Sequence, residues 1–359
     1  MSDLRDLRQR EFAEKWLQSR RGIMLISPRM GKTRIAIFAL QTYNNNLSVL
    51  IVYPDNKIRK SWEDEFLIMG YDNKNITFTT YLSLHKYKDN RYDVVILDEI
   101  HLMSENQIVV CQELLKLNHC VMGLTGTLAR DTRALLMTSL GLRVIAEYSI
   151  EQAIKEGVIA DYEISVVTVP LDDKVLTRYG KNFLTEKNRF KRLTWVIDDA
   201  QKLGRDTKFL RFTRMRLIQS SIAKINKTRE LIDEYKNERL LVFTGLTKVA
   251  DSLQIPSYHS GSSDKSVFKD FVEGRIQYLA VCKIGNTGVT YTPLNRVIIN
   301  YTDSNPQNLT QKINRCLSME YDNPEKKGLI IIISSNEETE LSWIRKGLSF
   351  FSKEKIKYL

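Results

Sequence analysis

The chain has 359 residues and a formal net charge of +11, with 54 Lys and Arg against 43 Asp and Glu. A hydrophobic content of 43% is ordinary for a globular protein and supports two or three domains with cores of their own. No apolar run approaches the ~20 residues of a membrane span, and the charged opening MSDLRDLRQR does not resemble a signal-peptide core. The four cysteines form no C-x-x-C, which argues against zinc and for a reduced, cytoplasmic chain (host cytoplasm, were it viral).

Residues 4–18 read as an amphipathic helix, with Leu4, Leu7, Phe12 and Trp16 on or near one face. Gln9 lies on it. It is either a solvated amide or a contact to a base edge, since an amide donates and accepts at once.

The run Ile23 to Ile26 leads into Ser27-Pro28-Arg29-Met30-Gly31-Lys32-Thr33 and then a helical segment, Arg34 to Leu40. A strand, a tight Gly turn and a helix N-terminus form a phosphate cradle. Lys32 is expected to reach the β- and γ-phosphates, and the Thr33 hydroxyl to hold magnesium. The usual pattern is G-x-x-x-x-G-K-[ST], and here Ile26 stands at the first Gly, so Ser27 serves only if the loop is one residue shorter. An ordinary helix start is the alternative.

Val49 to Pro54 (VLIVYP) reads as a buried parallel strand and Ile76 to Tyr81 (ITFTTY) as another. Thr80 and Tyr81, at its end, are candidates for touching a nucleic-acid backbone, or are plain strand formers. In YDVVILDEIH, Val94 to Leu97 form a strand with Asp98 and Glu99 at its C-terminal end, where parallel sheets place ligands. Asp98 suits a magnesium ion that bridges phosphates, and Glu99 suits the activation of an attacking water. Val121 to Thr127 (VMGLTGT) is a third strand, ending in a hydrogen-bond switch or only a turn.

Asp161 to Pro170 (DYEISVVTVP) is expected to close the first domain. The positive charge is local: residues 1–165 hold 21 basic and 21 acidic side chains, residues 166–239 hold 18 and 10, and residues 240–359 hold 15 and 12. The excess therefore sits in the middle and points to a polyanion. Residues 173–215 read as largely helical, basic and aromatic. Arg189, Lys191, Arg192, Arg211 and Arg214 are expected to meet phosphates, while aromatics stack on bases or form a small core.

Beyond it come a strand Leu240 to Gly245 (LLVFTG), a helix–turn–strand Phe268 to Val281, IGNTGVT at 284–290, a strand Arg296 to Asn300, and QKINR at 311–315. The tail from Glu337 reads as a helix and a short basic end.

Taken in order, Gln9, PRMGKT, VLIVYP, TTY, DEIH, LTGT, LLVFTG, IGNTGVT and QKINR resemble superfamily 2 helicases and translocases of the DExH group. The compact size is similar to helicases encoded by large phages, which serve replication and recombination. The resemblance covers nearly all of residues 5–335 except the middle. It implies an α/β fold of two tandem RecA-like parallel-sheet domains, at 1–170 and 216–359, with a helical, basic insertion at 171–215. It further implies a monomer that binds ATP and magnesium between the domains and acts on nucleic acid, DNA more than RNA. Gly288 would fall in motif V. Gln311 and Arg315 would open motif VI, with Arg315 as arginine finger, but Ser318 stands where that motif has a second arginine. The alternatives are a duplex translocase that leaves strands paired, or a nucleic-acid-binding module with weak or lost ATPase.

Overall fold

The computed structural model describes residues 2–44, 46–72, 74–179, 182–282, 294–319, 323 and 325–359. Two compact units divide at Ile159 and Ala160.

In the first unit the strands are β1 (Arg21–Ile26), β2 (Val49–Tyr53), β3 (Ile76–Thr80), β4 (Val94–Asp98), β5 (Val121–Thr125) and β6 (Val144–Tyr148). The helices are α1 (Ser2–Ser19), α2 (Lys32–Tyr43), α3 (Lys57–Ile68), α4 (Glu105–Leu117), α5 (Arg130–Leu140) and α6 (Ile150–Lys155). Among the described residues the sheet runs β3-β2-β4-β5-β1-β6, and every pairing is parallel. Strands β2, β4 and β5 are buried at every position, as expected where helices cover both faces of a parallel sheet. Register sets the site: Asp98 pairs with Leu124, and Leu25 with Thr125. The last residues of β4, β5 and β1 thus reach one edge together. Helix α1 buries Phe12, Ala13 and Trp16, and the Trp16 indole donates to the Val121 carbonyl at 3.0 Å. Leu7, placed on its apolar face by periodicity, is exposed.

The second unit adds β7 (Asp161–Val169), β8 (Thr177–Tyr179), β9 (Asn182–Leu184), β10 (Leu240–Thr244), β11 (Ser257–Tyr258), β12 (Tyr278–Cys282), β13 (Arg296–Ile299), β14 (Lys327–Ser335) and β15 (Ile356–Tyr358). Its helices are α7 (Glu186–Lys202), α8 (Lys208–Gln219), α9 (Ile222–Glu234), α10 (Thr247–Ser252), α11 (Ser266–Val272), α12 (Pro306–Ile313) and α13 (Glu338–Leu348). Its described strands form a parallel sheet, β11-β12-β10-β13-β14-β7-β15, with β8 and β9 as a separate antiparallel hairpin.

One expectation is corrected here. Strand β7 does not close the first sheet: it pairs with β14 over nine positions, Asp161 with Lys327 through Val169 with Ser335. Glu163 on β7 takes Lys327 at 3.0 Å and Lys357 at 2.8 Å, one from each neighbouring strand. The basic end of the chain is strand β15, which covers the free edge of β7. The expected boundary at 215 falls inside α8, and the insertion, read as largely helical, adds the β8–β9 hairpin to its helices.

The insertion has a small core of Leu171, Phe190, Leu193, Leu217 and Ile218. Thr185 caps α7 by accepting from the Asn188 amide at 3.2 Å. Next to it the buried Glu186 accepts from the Ile222 amide at 2.9 Å and the Ser221 hydroxyl at 3.0 Å, which ties α7 to the start of α9.

Candidate active site

The loop between β1 and α2 turns in an unusual way. Arg29 and Gly31 both take left-handed backbone, φ 67° and 86°. A side chain at Gly31 would be strained there, and its Cβ would lie 2.5 Å from the Gln9 amide nitrogen. Ile26 does not need to be glycine because it is still strand, buried and paired with Tyr148. The turn begins at Ser27, whose carbonyl accepts from the Met30 amide at 3.4 Å. Helix α1 pins this loop: Gln9 donates to the Met30 carbonyl at 2.7 Å and Arg5 to the Arg29 carbonyl at 2.5 Å. The buried Gln9 Oε1 and Ser27 Oγ have no hydrogen-bond partner. Two orphaned polar atoms beside a turn that excludes side chains are what a polar ligand would complete. Pro28 and Lys32 flank Gly126, where a Cβ would lie 3.4 Å from each. Thr33, in the first turn of α2, is partly exposed.

At the end of β4, Asp98 is buried. One oxygen accepts from the Trp62 indole at 3.0 Å and the other from the Glu99 amide at 3.0 Å. Burial, with the Glu99 charge alongside, pushes its pKa up to about 6. Glu99 follows with left-handed backbone, φ 49°. Its Oε1 lies 3.3 Å from Lys32 Nζ and its Oε2 3.5 Å from His101 Nδ1. Burial alone would raise its pKa, but the Lys32 charge and the nearby His101 ring, with hydrogen bonds from Lys32 and the Gly126 amide, hold it below the usual range. The two adjacent carboxyls are thereby pushed apart, Glu99 toward the ionised form and Asp98 toward the protonated one.

His101 Nδ1 lies 2.7 Å from Thr125 Oγ1, and that hydroxyl donates to the Thr127 carbonyl at 2.6 Å. A hydroxyl already donating must accept from the ring, so Nδ1 carries the proton. Lys32, Glu99, His101, Thr125 and Thr127 make a continuous polar chain across the ends of α2, β4 and β5. Burial lowers the His101 pKa, keeping the ring neutral.

Tyr81 is not at a surface. It is buried, and its hydroxyl donates to the Asp98 carbonyl at 2.9 Å, so it braces the carboxylate strand instead of facing a partner. Thr80 caps the turn that follows β3, accepting from the Ser83 amide at 3.3 Å. Trp62, Arg5 and Gly126 were not singled out in the sequence. Trp62 and Arg5 have no motif signal, and only the LTGT string pointed near Gly126.

A family model described as the helicase conserved C-terminal domain matches residues 223–320. The DNA 3'-5' translocase XPB2 of Sulfurisphaera tokodaii is 25% identical over 92% of this chain and 81% of its own length. The putative DNA 3'-5' helicase Rad25 of Halobacterium salinarum is 22% identical, and the match spans 79% of this chain and 47% of that protein. Among solved structures, S. cerevisiae Dbp5 bound to RNA and ADP BeF3 aligns with a TM-score of 0.58 at 12% identity, over 94% of this chain and 85% of that one. The Pyrococcus furiosus Hef helicase domain aligns at 0.52 and 12% identity, over 95% and 96%. Residues 223–320 thus match a helicase family, and the chain as a whole is similar to superfamily 2 helicases in sequence and in its parallel-sheet fold.

In the second unit Gln311 is partly exposed on α12, and Arg315 is buried just beyond it. Ser318 is buried; its hydroxyl has no partner, and its carbonyl accepts from Lys326 at 2.8 Å. Gly288 and the rest of IGNTGVT lie outside the described residues. The five insertion residues expected to meet phosphates fall into two overlapping groups. Arg189 and Arg192 lie over the Tyr179 ring, at 4.6 and 5.8 Å. Arg214 lies over Phe190 at 5.6 Å and donates to Thr194 at 3.1 Å, with burial lowering its pKa. These contacts hold the hairpin, α7 and α8 together. Lys191, Arg192 and Arg211 are exposed.

Proposed function

We propose that this chain hydrolyses ATP to move along nucleic acid, DNA in preference to RNA. The observation that carries the reading is the Lys32–Glu99 contact of 3.3 Å, beside buried Asp98, at the carboxyl edge of a parallel sheet. The two DNA-acting relatives and the basic middle segment support the choice of partner.

The roles follow from the chemistry in place. Ser27, Pro28, Arg29, Met30 and Gly31 wrap the phosphates with main chain, and the orphaned Ser27 hydroxyl and Gln9 oxygen offer further polar contacts. Lys32 exchanges Glu99 for the phosphates. Glu99, held ionised, is then free to take a proton from water. Thr33 and Asp98 would hold magnesium, which neutralises phosphate charge and polarises the group to be cleaved. Among the described residues no cluster of three or more His, Cys, Asp or Glu could hold a metal by itself, so such an ion would take other ligands from substrate and water. Gln311 and Arg315 are assigned to the substrate, Arg315 lending positive charge to the transferring phosphoryl group.

Lys32→Ala tests this. Turnover of ATP in the presence of single-stranded DNA should fall by at least about 10²-fold, with the melting temperature lowered by no more than about 4 °C. Undiminished turnover refutes the site. A second reading has its own support: Ser318 in place of an arginine favours a binding module with little ATPase. ATP turnover that no DNA oligomer stimulates would favour it. Displacement of a triplex strand without separation of a duplex would mark a pure translocase.

A further inference from the structure

Among the described residues, every large exposed Phe or Trp lies in the insertion: Phe183, Trp195, Phe209 and Phe212. Two of them fall on one stripe of α8. Phe209, Phe212, Arg216 and Gln219 are spaced three or four residues apart, so they share a face. The opposite face of α8 supplies Leu217 and Ile218 to the insertion's core. Phe209 is 78% exposed and Phe212 40%, and the Arg216 guanidinium lies 4.5 Å from the Phe212 ring centre. Helix α8 carries Lys208, Arg211, Arg214 and Arg216 and no acidic residue.

The same stripe forms one wall of a cleft of about 250 Å³, lined by Phe212, Met215, Arg216 and Gln219. The other wall is Leu246 after β10, Tyr301 and Asp303 after β13, and Asn308 on α12. The cleft opens at the carboxyl ends of two parallel strands. Gly245 makes the seat possible, because a Cβ there would lie 2.7 Å from the Gln219 amide. On the far wall the Asp303 carboxylate accepts from Asn308 Nδ2 at 3.0 and 3.2 Å and from the Asn305 amide at 2.9 Å. Nothing in the family match or the nucleotide site explains why an exposed aromatic helix face should continue into this cleft.

We propose that this α8 face and cleft bind an unpaired nucleotide: its base stacks on Phe212, with Phe209 extending the platform outward, and its phosphate meets Arg216. Aromatic faces take any base, but only one that is out of a duplex, because paired bases are already stacked. Gln219, Asn308 and Asp303 offer donors and acceptors to a base edge. The proposal rests on the nucleic-acid reading above and sharpens it, making unpaired strand the preferred substrate.

The test uses the full chain and a single-stranded DNA oligonucleotide carrying 2-aminopurine, beside a duplex of the same sequence. Phe212→Ala and Phe212→Leu should each bind the single strand about 5- to 150-fold more weakly, equivalent to ~1–3 kcal/mol of base stacking, with duplex affinity within about twofold. Quenching of 2-aminopurine should be lost in both and kept in Phe212→Tyr. Wild-type affinity in the leucine variant would mean that bulk, not a ring face, matters, and would overturn the proposal. Equal weakening for duplex and single strand would overturn it too. Because the readout is binding, Phe212-dependent quenching in a chain that hydrolyses no ATP would sustain this site while refuting the motor. DNA-stimulated hydrolysis with no Phe212 dependence would do the reverse.

Discussion

Each unit contains a lysine–carboxylate pair, and the two are built to opposite ends. In the second unit Lys224 and Glu340 meet at 2.5 Å with both side chains wholly buried. Glu340 also accepts from Thr302 at 3.2 Å and from the amide and hydroxyl of Ser335 at 2.7 and 2.8 Å. That carboxylate is saturated, and nothing can approach it. In the first unit Lys32 and Glu99 meet at 3.3 Å with side chains 16% and 23% exposed. Around them lie an aspartate with a raised pKa, two unpartnered polar atoms and two left-handed residues on the loop. Unlike Glu340, Glu99 sits where other groups can reach it. A fully satisfied pair fixes a fold, whereas an incompletely satisfied one can exchange partners.

The comparison can be broken by replacing each pair in turn. Glu99→Gln keeps the shape but not the ability to take a proton. ATP turnover should drop about 10²- to 10⁴-fold while ATP stays bound, which steady-state hydrolysis and retention of labelled nucleotide would show. Unaltered turnover would mean that Glu99 is as structural as Glu340. Lys224→Met should do the opposite, costing about 3–5 kcal/mol of stability in urea unfolding, because it strands a buried carboxylate. Adding Glu340→Leu should restore part of that loss, but not all, since Ser335 then loses its acceptor. Lys32→Ala, at the partly exposed pair, should cost under about 1 kcal/mol in the same experiment.

A third lysine gives the smallest and sharpest test. Lys312 is as buried as Lys224, but its ammonium donates to the Tyr301 carbonyl at 3.2 Å and lies 3.4 Å from that ring's centre. Burial lowers its pKa to about 7. The unfolded chain, with an ordinary lysine pKa of about 10.4, binds more protons between those values, so stability contributed by this group rises with pH across that window. Lys312→Met should therefore raise the melting temperature most below about pH 7, by roughly 2–4 °C per kcal/mol gained, and progressively less toward pH 10. A gain independent of pH would show that Lys312 carries no such burden.

Strand runs, the Gly turn before α2 and the paired carboxylates were legible in the sequence because each is a short local string. VLIVY, VVILD, VMGLT and LLVFT all became fully buried strands. Asp98 and Glu99 came at a strand end as expected, within reach of Lys32. Other features depended on partners far along the chain. Tyr81 reads as a strand-end surface residue until the Asp98 carbonyl, 17 positions away, draws its hydroxyl inward. The insertion's aromatics looked alike in sequence, yet Phe190 is core while Phe209 stands in solvent.

By itself the sequence determined two parallel-sheet units and the strand end at which Asp98 and Glu99 stand. Hydrophobic runs and turn residues act over a few positions, and a linear reading suffices for them. Only the tertiary structure decided that DYEISVVTV joins the second sheet, that the chain's end becomes an edge strand, and which lysine–carboxylate pair is sealed. Strand pairing and burial are set by segments more than a hundred residues apart, such as β7 with β14 and Lys224 with Glu340. No local pattern encodes that choice of partner.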